Sequence, residues 1–238
     1  MKRILILATL VVLIHSLSFA QGDRAKVSSR IEEAGNVLNE IMAAPDSGIP
    51  EEIFSSAKCV AVVPSFLKGG LGFGAAYGKG VASCRTEKGW SSPAFFSLKG
   101  GSFGLQIGGE AVDLVMLIMN DAGMKNLLSS KFKLGADGSV AAGPVGRHAE
   151  GSTDWKMKAQ VLTYSRARGV FAGITINGSV ISQGKDDTRS FYGRMVPFKT
   201  ILNGNIEAPA DSAPFLQALT KYSGVPAPAA PQTPNSGN

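Results

Sequence analysis

Cys59-Val60-Ala61-Val62-Val63-Pro64 and Val112-Asp113-Leu114-Val115-Met116-Leu117-Ile118-Met119 are the stretches whose reading decides the fold. The first is a short apolar run rich in β-branched residues and closed by Pro64, which marks a strand. The second is an apolar run compatible with a strand buried on both faces or with a buried helix. Between them, Phe95, Ser97 and Leu105–Ile107 alternate or nearly so, in short β-type runs punctuated by glycine. Strands resume around Ser139, Lys156–Tyr164, Val170–Ile176 and Ser179–Ser182, and Asn177-Gly178 reads as a two-residue hairpin turn. The glycines are expected at bulges, tight turns and close backbone approaches.

Helices flank this region. Val27, Ile31, Ala34, Leu38, Ile41 and Met42 recur at spacings of three and four, so Asp23 to Ala44 reads as a helix with Asp23 able to cap it. Arg24 and Arg30 border its apolar stripe, and Glu32, Glu33 and Glu40 lie on the far side. Pro45-Asp46-Ser47-Gly48 breaks it, and Pro50 opens a second short helix through about Ala57. Asn120 or Asp121 can cap a brief helix holding Met124, Leu127 and Leu128. Ser212 and Pro214 start a last helix carrying Phe215, Leu216 and Leu219. Many strands between terminal helices give the expected fold class: α+β, a single domain with an antiparallel, barrel-like sheet and N-terminal and C-terminal helices.

Composition agrees with one globular domain. The 238 residues are 44% hydrophobic and 18% charged, which excludes a disordered chain. The 29 glycines follow no three-residue period, which excludes a collagen-like one. Beyond Gly224 four prolines sit among alanine and polar residues, and residues 225–238 read as a disordered tail.

The first twenty residues read as an address. Lys2 and Arg3 precede the apolar run Ile4–Ile14, and Ser18-Phe19-Ala20 offers small residues at a cleavage point, the layout of a secretory signal peptide cleaved after Ala20. No cysteine lies there to accept a lipid, so a periplasmic or secreted location is expected. Removal of Lys2 and Arg3 leaves 22 of the 24 basic residues against 18 acidic ones, a formal charge of +4. That mild surplus favours an anionic lipid surface and does not suggest nucleic acid. Export also bears on Cys59 and Cys84, the two cysteines of the chain. In an oxidising compartment an even pair is expected to be bridged, and two buried thiols are the alternative.

The chemistry-bearing patterns are weak. Gly74-Ala75-Ala76-Tyr77-Gly78-Lys79-Gly80 is one residue short of a phosphate loop and has Gly80 where a magnesium-binding hydroxyl belongs. Gly100-Gly101-Ser102-Phe103-Gly104 matches the nucleophile-elbow pattern, with Asp113, Asp121 or Asp137 and then His148 following in hydrolase order. An elbow needs a strand-to-helix turn, however, and Leu105-Gln106-Ile107-Gly108-Gly109 is a poor helix start. One histidine remains after the leader, so no metal cluster is expected. Asp186-Asp187 reads as a solvated turn beside Lys185 and Arg189. Arg166/Arg168 and Lys131/Lys133 read as solvated sheet positions. No catalytic residue, cofactor or metal is expected.

A resemblance joins these segments. Ile49-Pro50, Ala57 to Pro64, Lys68-Gly69-Gly70 through Val81, Trp90 to Phe95, Gly104 to Gly108, Val112–Asn120, Lys133 to Asp137, Tyr164-Ser165-Arg166, Gly169 to Gly173 and Phe191-Tyr192-Gly193 together resemble the SYLF domain, also called the Ysc84 actin-binding domain. The match runs in order from about Arg24 to Gly193, placing the domain at residues 21–224. The resemblance implies a non-enzymatic module. Eukaryotic members bind phosphoinositide membranes, partly through an amphipathic N-terminal helix, and some bind actin. With the leader, this implies a lipid-binding module of a bacterial cell envelope. Anionic phospholipid is its expected partner, with Arg24, Arg30, Lys68 and Lys79 as candidate contacts. A structural or protein-interaction role in the envelope is the alternative, and a Ser102 hydrolase the remote one.

Overall fold

The computed structural model describes residues 23–44, 48–129, 131–135, 140–145, 159–167, 170–173, 176 and 178–224. The leader, the Pro-rich tail, Asp137 and His148 lie outside them. Helix α1 covers residues 23–42, and α2 is Glu51–Ser56. Two long strands follow, β1 (Cys59–Thr86) and β3 (Ala94–Ile118), joined through the short β2 (Gly89–Trp90). After α3 (Asp121–Leu128) come β4 (Lys131–Lys133), β5 (Val140–Ala142), β6 (Val161–Ala167), β7 (Val170–Gly173) and β8 (Val180–Gln183). Helices α4 (Lys185–Tyr192), α5 (Phe198–Leu202) and α6 (Ala213–Ser223) close the domain.

The eight strands form one curled sheet, a half-barrel with the order β2-β1-β3-β6-β5. β8 adds to β3, β4 to β8, and β7 to β6. The described pairs are antiparallel except β5 on β6, which is parallel, so the sheet is mixed. The expected α+β domain with terminal helices is the one observed.

Both apolar runs lie in register at its centre, Cys59 opposite Ile118 and Val63 opposite Leu114. Alternate residues point to opposite faces of a strand, so an unbroken apolar run needs two apolar layers. Val60, Val62, Val115 and Leu117 pack beneath α1, α2 and α6 against Ile31, Leu38, Phe54, Phe215 and Leu219. Cys59, Ala61, Val63, Leu114, Met116 and Ile118 face a second core with Leu127, Ile181, Phe198, Ile201 and Leu202. Val112–Ile118 is therefore strand, buried on both faces over most of its length.

The glycines do not divide residues 59–118 into short strands. β1 runs for 28 residues and β3 for 25, with register shifts between Val63 and Phe66 and between Leu71 and Phe73. Pro64 sits at the first shift, where its missing N–H costs no ladder bond. Ser65 there adopts φ 54°, and its N–H donates to Asp113 Oδ1 at 3.0 Å. β1 doubles back on itself beyond this point. A Cβ on Gly80 would fall 2.6 Å from the Val62 carbonyl oxygen and 2.4 Å from the Phe96 ring, so only glycine permits the two halves to pass. Where they meet again, Arg85 N–H donates to Lys58 O at 2.8 Å and a disulfide joins Cys59 to Cys84.

One local reading changes, and another is narrowed to one of its two candidates. Gly178 has φ +81°, but β7 and β8 are not paired, and Gly178 N–H donates to Leu134 O at 2.8 Å. Asn177 lies outside the described residues, and the strands that flank it, β7 and β8, have different described partners, so the expected hairpin pairing is not found among the described residues. Asn120 is the cap of α3, its Oδ1 accepting from Gly123 N–H at 2.9 Å.

Candidate functional site

Arg30 of α1, Lys79 of β1 and Asp187 of α4 meet in one cluster. Arg30 Nη1 lies 3.0 Å from Asp187 Oδ2, and Lys79 Nζ lies 3.0 Å from Asp187 Oδ1. The Asp187 side chain is 11% exposed, that of Arg30 15% and that of Lys79 43%. They line a crevice of about 230 Å³ whose rim includes Lys26, Asp23 and Asp186. The rim acids have their own cations, Lys26 with Asp23 at 3.7 Å and Arg189 with Asp186 at 3.2 Å. Two cations therefore share one carboxylate, within a lining that has three cations, Lys26, Arg30 and Lys79, against three carboxylates, Asp23, Asp186 and Asp187.

Asp187 was expected in a solvated turn and is instead a buried residue of the first turn of α4. Asp187, Thr188 and Phe191 form the buried face of that helix, and the spacing from Asp187 to Phe191 carried the signal. Carboxylates in a helix's first turn are also stabilised by the helix dipole. Asp186 remains exposed, as expected of the pair.

Of the four candidate cations, Arg30 and Lys79 come together and the other two lie apart. Arg24 donates to Asp211 Oδ2 at 3.1 Å and to Phe191 O at 3.1 Å, with its guanidinium 5.5 Å from the Phe191 ring centroid. The two arginines of α1 thus grip α4 at both ends. The apolar stripe between them is core: Val27, Ile31, Ala34, Leu38 and Ile41 are each at most 1% exposed.

Lys68 stands on a different feature. β3 pairs with β8 up to Lys99 and with β6 from Asp113 onward. From Gly100 to Val112 its partner among the described residues is β1, and this middle stretch of the β1–β3 ribbon is termed the arm. Leu67 (56% exposed) and Tyr77 (42%) are the exposed large hydrophobic residues among those described, and both are on it. Lys68 pairs in register with Glu110, and Lys99 with Tyr77, its ammonium 5.7 Å from the ring centroid. Tyr77 and Lys79 are both exposed, with buried Gly78 between them, so the arm and the crevice share one face of β1.

The strand-to-helix turn of a nucleophile elbow is absent at Ser102. Residues 100–104 lie inside β3, with Ser102 opposite Gly74, and no strand-to-helix turn occurs there. Residues 74–80 are likewise strand. Among the described residues no group of three or more His, Cys, Asp or Glu could hold a metal ion. Burial pushes the Tyr164 and Tyr192 phenols above their ordinary range, so both stay neutral. Arg166, expected on a solvated face, pairs with Asp113 at 2.6 Å and with Glu40 of α1. Lys131 and Lys133 are exposed on β4, and Arg168 lies outside the described residues.

Comparison with known proteins gives this architecture relatives. A family described as Ysc84, the Las17-binding protein actin regulator, matches residues 99–222. The SH3 domain-containing YSC84-like protein 1 of Rattus norvegicus is 31% identical over 205 residues, covering 83% of this chain and 60% of the relative. Protein YSC84 of Saccharomyces cerevisiae is 31% identical over 203 residues, covering 81% and 43%. LAS seventeen-binding protein 3 of the same organism is 33% identical over 203 residues, covering 81% and 44%. The chain thus spans at most about 60% of these relatives' own lengths. With matched segments running through the ribbon, the sheet and α4 to α6, the chain belongs to the Ysc84 (SYLF) family.

Proposed function

We propose that this chain is an exported, non-enzymatic binding module of the cell envelope that engages anionic phospholipid, with the Arg30–Lys79 crevice as the headgroup contact. The observation that supports this most directly is the shared carboxylate. Two cations share one buried Asp187 beside a crevice, where a phosphate can gather hydrogen bonds from ammonium and guanidinium together. Cysteines joined in a disulfide and the leader-like first twenty residues support a periplasmic or secreted site of action.

Lys79→Gln is the cleanest test, because Arg30 keeps Asp187 as its partner and the fold loses no buried pair. Co-sedimentation with vesicles of phosphatidylglycerol and phosphatidylcholine, against phosphatidylcholine alone, is the assay. One cation near an anionic surface contributes about 1 kcal/mol, so affinity for the anionic vesicles should fall about fivefold. Arg24→Ala with Arg30→Ala would lower binding and stability together, since both arginines fasten α1 to α4. Equal sedimentation with both vesicle types would sink the headgroup reading. A protein partner is the second reading, favoured by the family's description as a Las17-binding protein and by the printed name of one relative, LAS seventeen-binding protein 3. Binding that ignores lipid charge and saturates on an envelope protein would favour it.

A further inference from the structure

We infer that the Arg30–Lys79 crevice selects a phosphoethanolamine headgroup, its phosphate taken by Arg30 and Lys79 and its ammonium by Asp186 and Asp23. The inference rests on the phospholipid reading above and names the headgroup that the crevice prefers within a bilayer that also carries anionic lipid.

The crevice carries both signs of charge in an order set by its elements. On α1, Asp23, Lys26 and Arg30 follow one another at spacings of three and four, so they share one helix face. On α4, Asp186 and Ser190 are one turn apart beside Asp187, and β1 contributes Lys79. Three cations thus stand against three carboxylates in a space of about 230 Å³. A purely anionic headgroup would leave that lining with an uncompensated negative charge, whereas a zwitterion leaves it balanced. The space is smaller than the range of about 300–1,000 Å³ that holds drug-sized ligands, and it suits a headgroup without its chains.

The charges differ in how firmly they are held. Asp187, its side chain 11% exposed, is committed to Arg30 and Lys79, each at 3.0 Å. Both partners keep further N–H donors, so a phosphate can accept from the two together without displacing Asp187. The rim carboxylates are held by exposed partners instead, Asp186 by Arg189 and Asp23 by Lys26, with carboxylate side chains 95% and 65% exposed. Exposed pairs of this kind contribute little to stability, so an incoming ammonium can share their carboxylates. Phosphoethanolamine carries a primary ammonium, with three N–H donors, one short carbon link from its phosphate. Choline lacks those donors, and quaternary ammonium groups are recognised by aromatic faces. Among the described residues no aromatic side chain lines the crevice. The lining therefore distinguishes ethanolamine from choline, two headgroups of equal net charge.

The test is co-sedimentation of the full chain with vesicles of phosphatidylglycerol–phosphatidylcholine, of phosphatidylglycerol–phosphatidylethanolamine with the same share of phosphatidylglycerol, and of phosphatidylcholine alone. Replacing choline by ethanolamine should strengthen binding about threefold, as expected for one added exposed ion pair. Ethanolamine lipids also change how a bilayer packs, and Asp186→Asn separates that effect from headgroup recognition. The altered side chain is exposed, and circular dichroism checks that the fold is kept. The variant should lose the threefold preference. In solution, glycerophosphoethanolamine should displace the parent from vesicles at lower concentration than glycerophosphocholine. If the two mixed vesicles bind equally while phosphatidylcholine alone binds less, the ethanolamine inference is overturned and the anionic phospholipid reading stands. If the preference for ethanolamine persists in Asp186→Asn, it comes from bilayer packing and the inference fails. Absence of binding to any of the vesicles defeats the inference and the phospholipid reading together.

Discussion

Asp187→Asn should move stability and anionic-lipid binding in opposite directions. The carboxylate accepts from Arg30 and Lys79 at 3.0 Å each and is 11% exposed. Breaking a buried ion pair by removing one partner costs about 3–5 kcal/mol. Lys79 is nearly half exposed, so its share is closer to a surface pair, about 0–1 kcal/mol. The Asn oxygen still accepts one bond, and the loss of charge forfeits about 0.3–1 kcal/mol of favourable interaction with the start of α4. A cost of about 3 kcal/mol is the resulting estimate, or a fall in Tm of roughly 6–12 °C for a domain of this size. Binding should change the other way. One negative charge leaves the crevice floor, and both cations become available to a phosphate. Affinity for phosphatidylglycerol vesicles should rise about fivefold. The gain should fade with salt, as the Debye length shrinks from about 10 Å at 0.1 M to about 3 Å at 1 M. Thermal unfolding and vesicle co-sedimentation on the same preparation read both effects. A variant that loses stability and also binds anionic vesicles less well would refute the crevice as a headgroup contact. A variant as stable as the parent would show that the cluster does not fasten α1 to α4.

Cys59→Ala with Cys84→Ala should cost about 3–4 kcal/mol in a denaturant titration, from the loop entropy of a 25-residue separation. Gly80→Ala should cost about 2–3 kcal/mol, because the Val62 carbonyl at 2.6 Å is backbone and cannot swing aside. Gly101→Ala, with its nearest contact at 3.9 Å, should stay within about 0.5 kcal/mol of the parent in the same titration. Ser102→Ala should leave the unfolding midpoint and any ester-cleaving rate unchanged, as residue 102 lies in mid-strand. Intact mass of the exported protein should correspond to a chain beginning at Gln21, and a mass retaining residues 1–20 would defeat the leader reading.

Local periodicity made much of the fold legible. The spacing Val27, Ile31, Ala34, Leu38 and Ile41 names residues of the buried face of α1, while Met42 of the same stripe is only partly buried and Val37, outside it, is buried, because side chains on a helix recur on one face every three to four residues. The run Val112–Met119 is compatible with a strand buried on both faces or with a buried helix, and the structure makes Val112–Ile118 the strand. What stayed hidden was non-local. Whether a glycine ends a strand or lets two backbones cross depends on what lies opposite. For Gly80 that is Val62, eighteen residues earlier in the chain and brought back by the bend of β1. Asn177-Gly178 has the composition of a hairpin turn, yet β8 finds its partners in β3 and β4, a choice made by the curl of the sheet. Asp187 was misplaced because its charge outweighed its helical spacing. Two cations from α1 and β1 allow that charge to be buried, and neither is near it in sequence.

The same distinction bears on how the first helix takes part in function. An apolar stripe bordered by arginines fits a membrane helix and a core helix equally well, since both need one apolar face. Here the stripe is spent on the sheet, and its arginines reach across to α4 in place of outward to solvent. On the phospholipid reading proposed above, what α1 offers a bilayer is charge, through Arg30 and Lys26 at the crevice, with little apolar area. The exposed apolar side chains are on the arm instead. Charge and apolar contact thus sit on separate elements, α1 and the β1–β3 ribbon, joined through Lys79 and Asp187. On the phospholipid reading, changes at the crevice should alter the salt dependence of vesicle binding, whereas shortening the buried stripe of α1 should lower stability and leave that salt dependence unchanged.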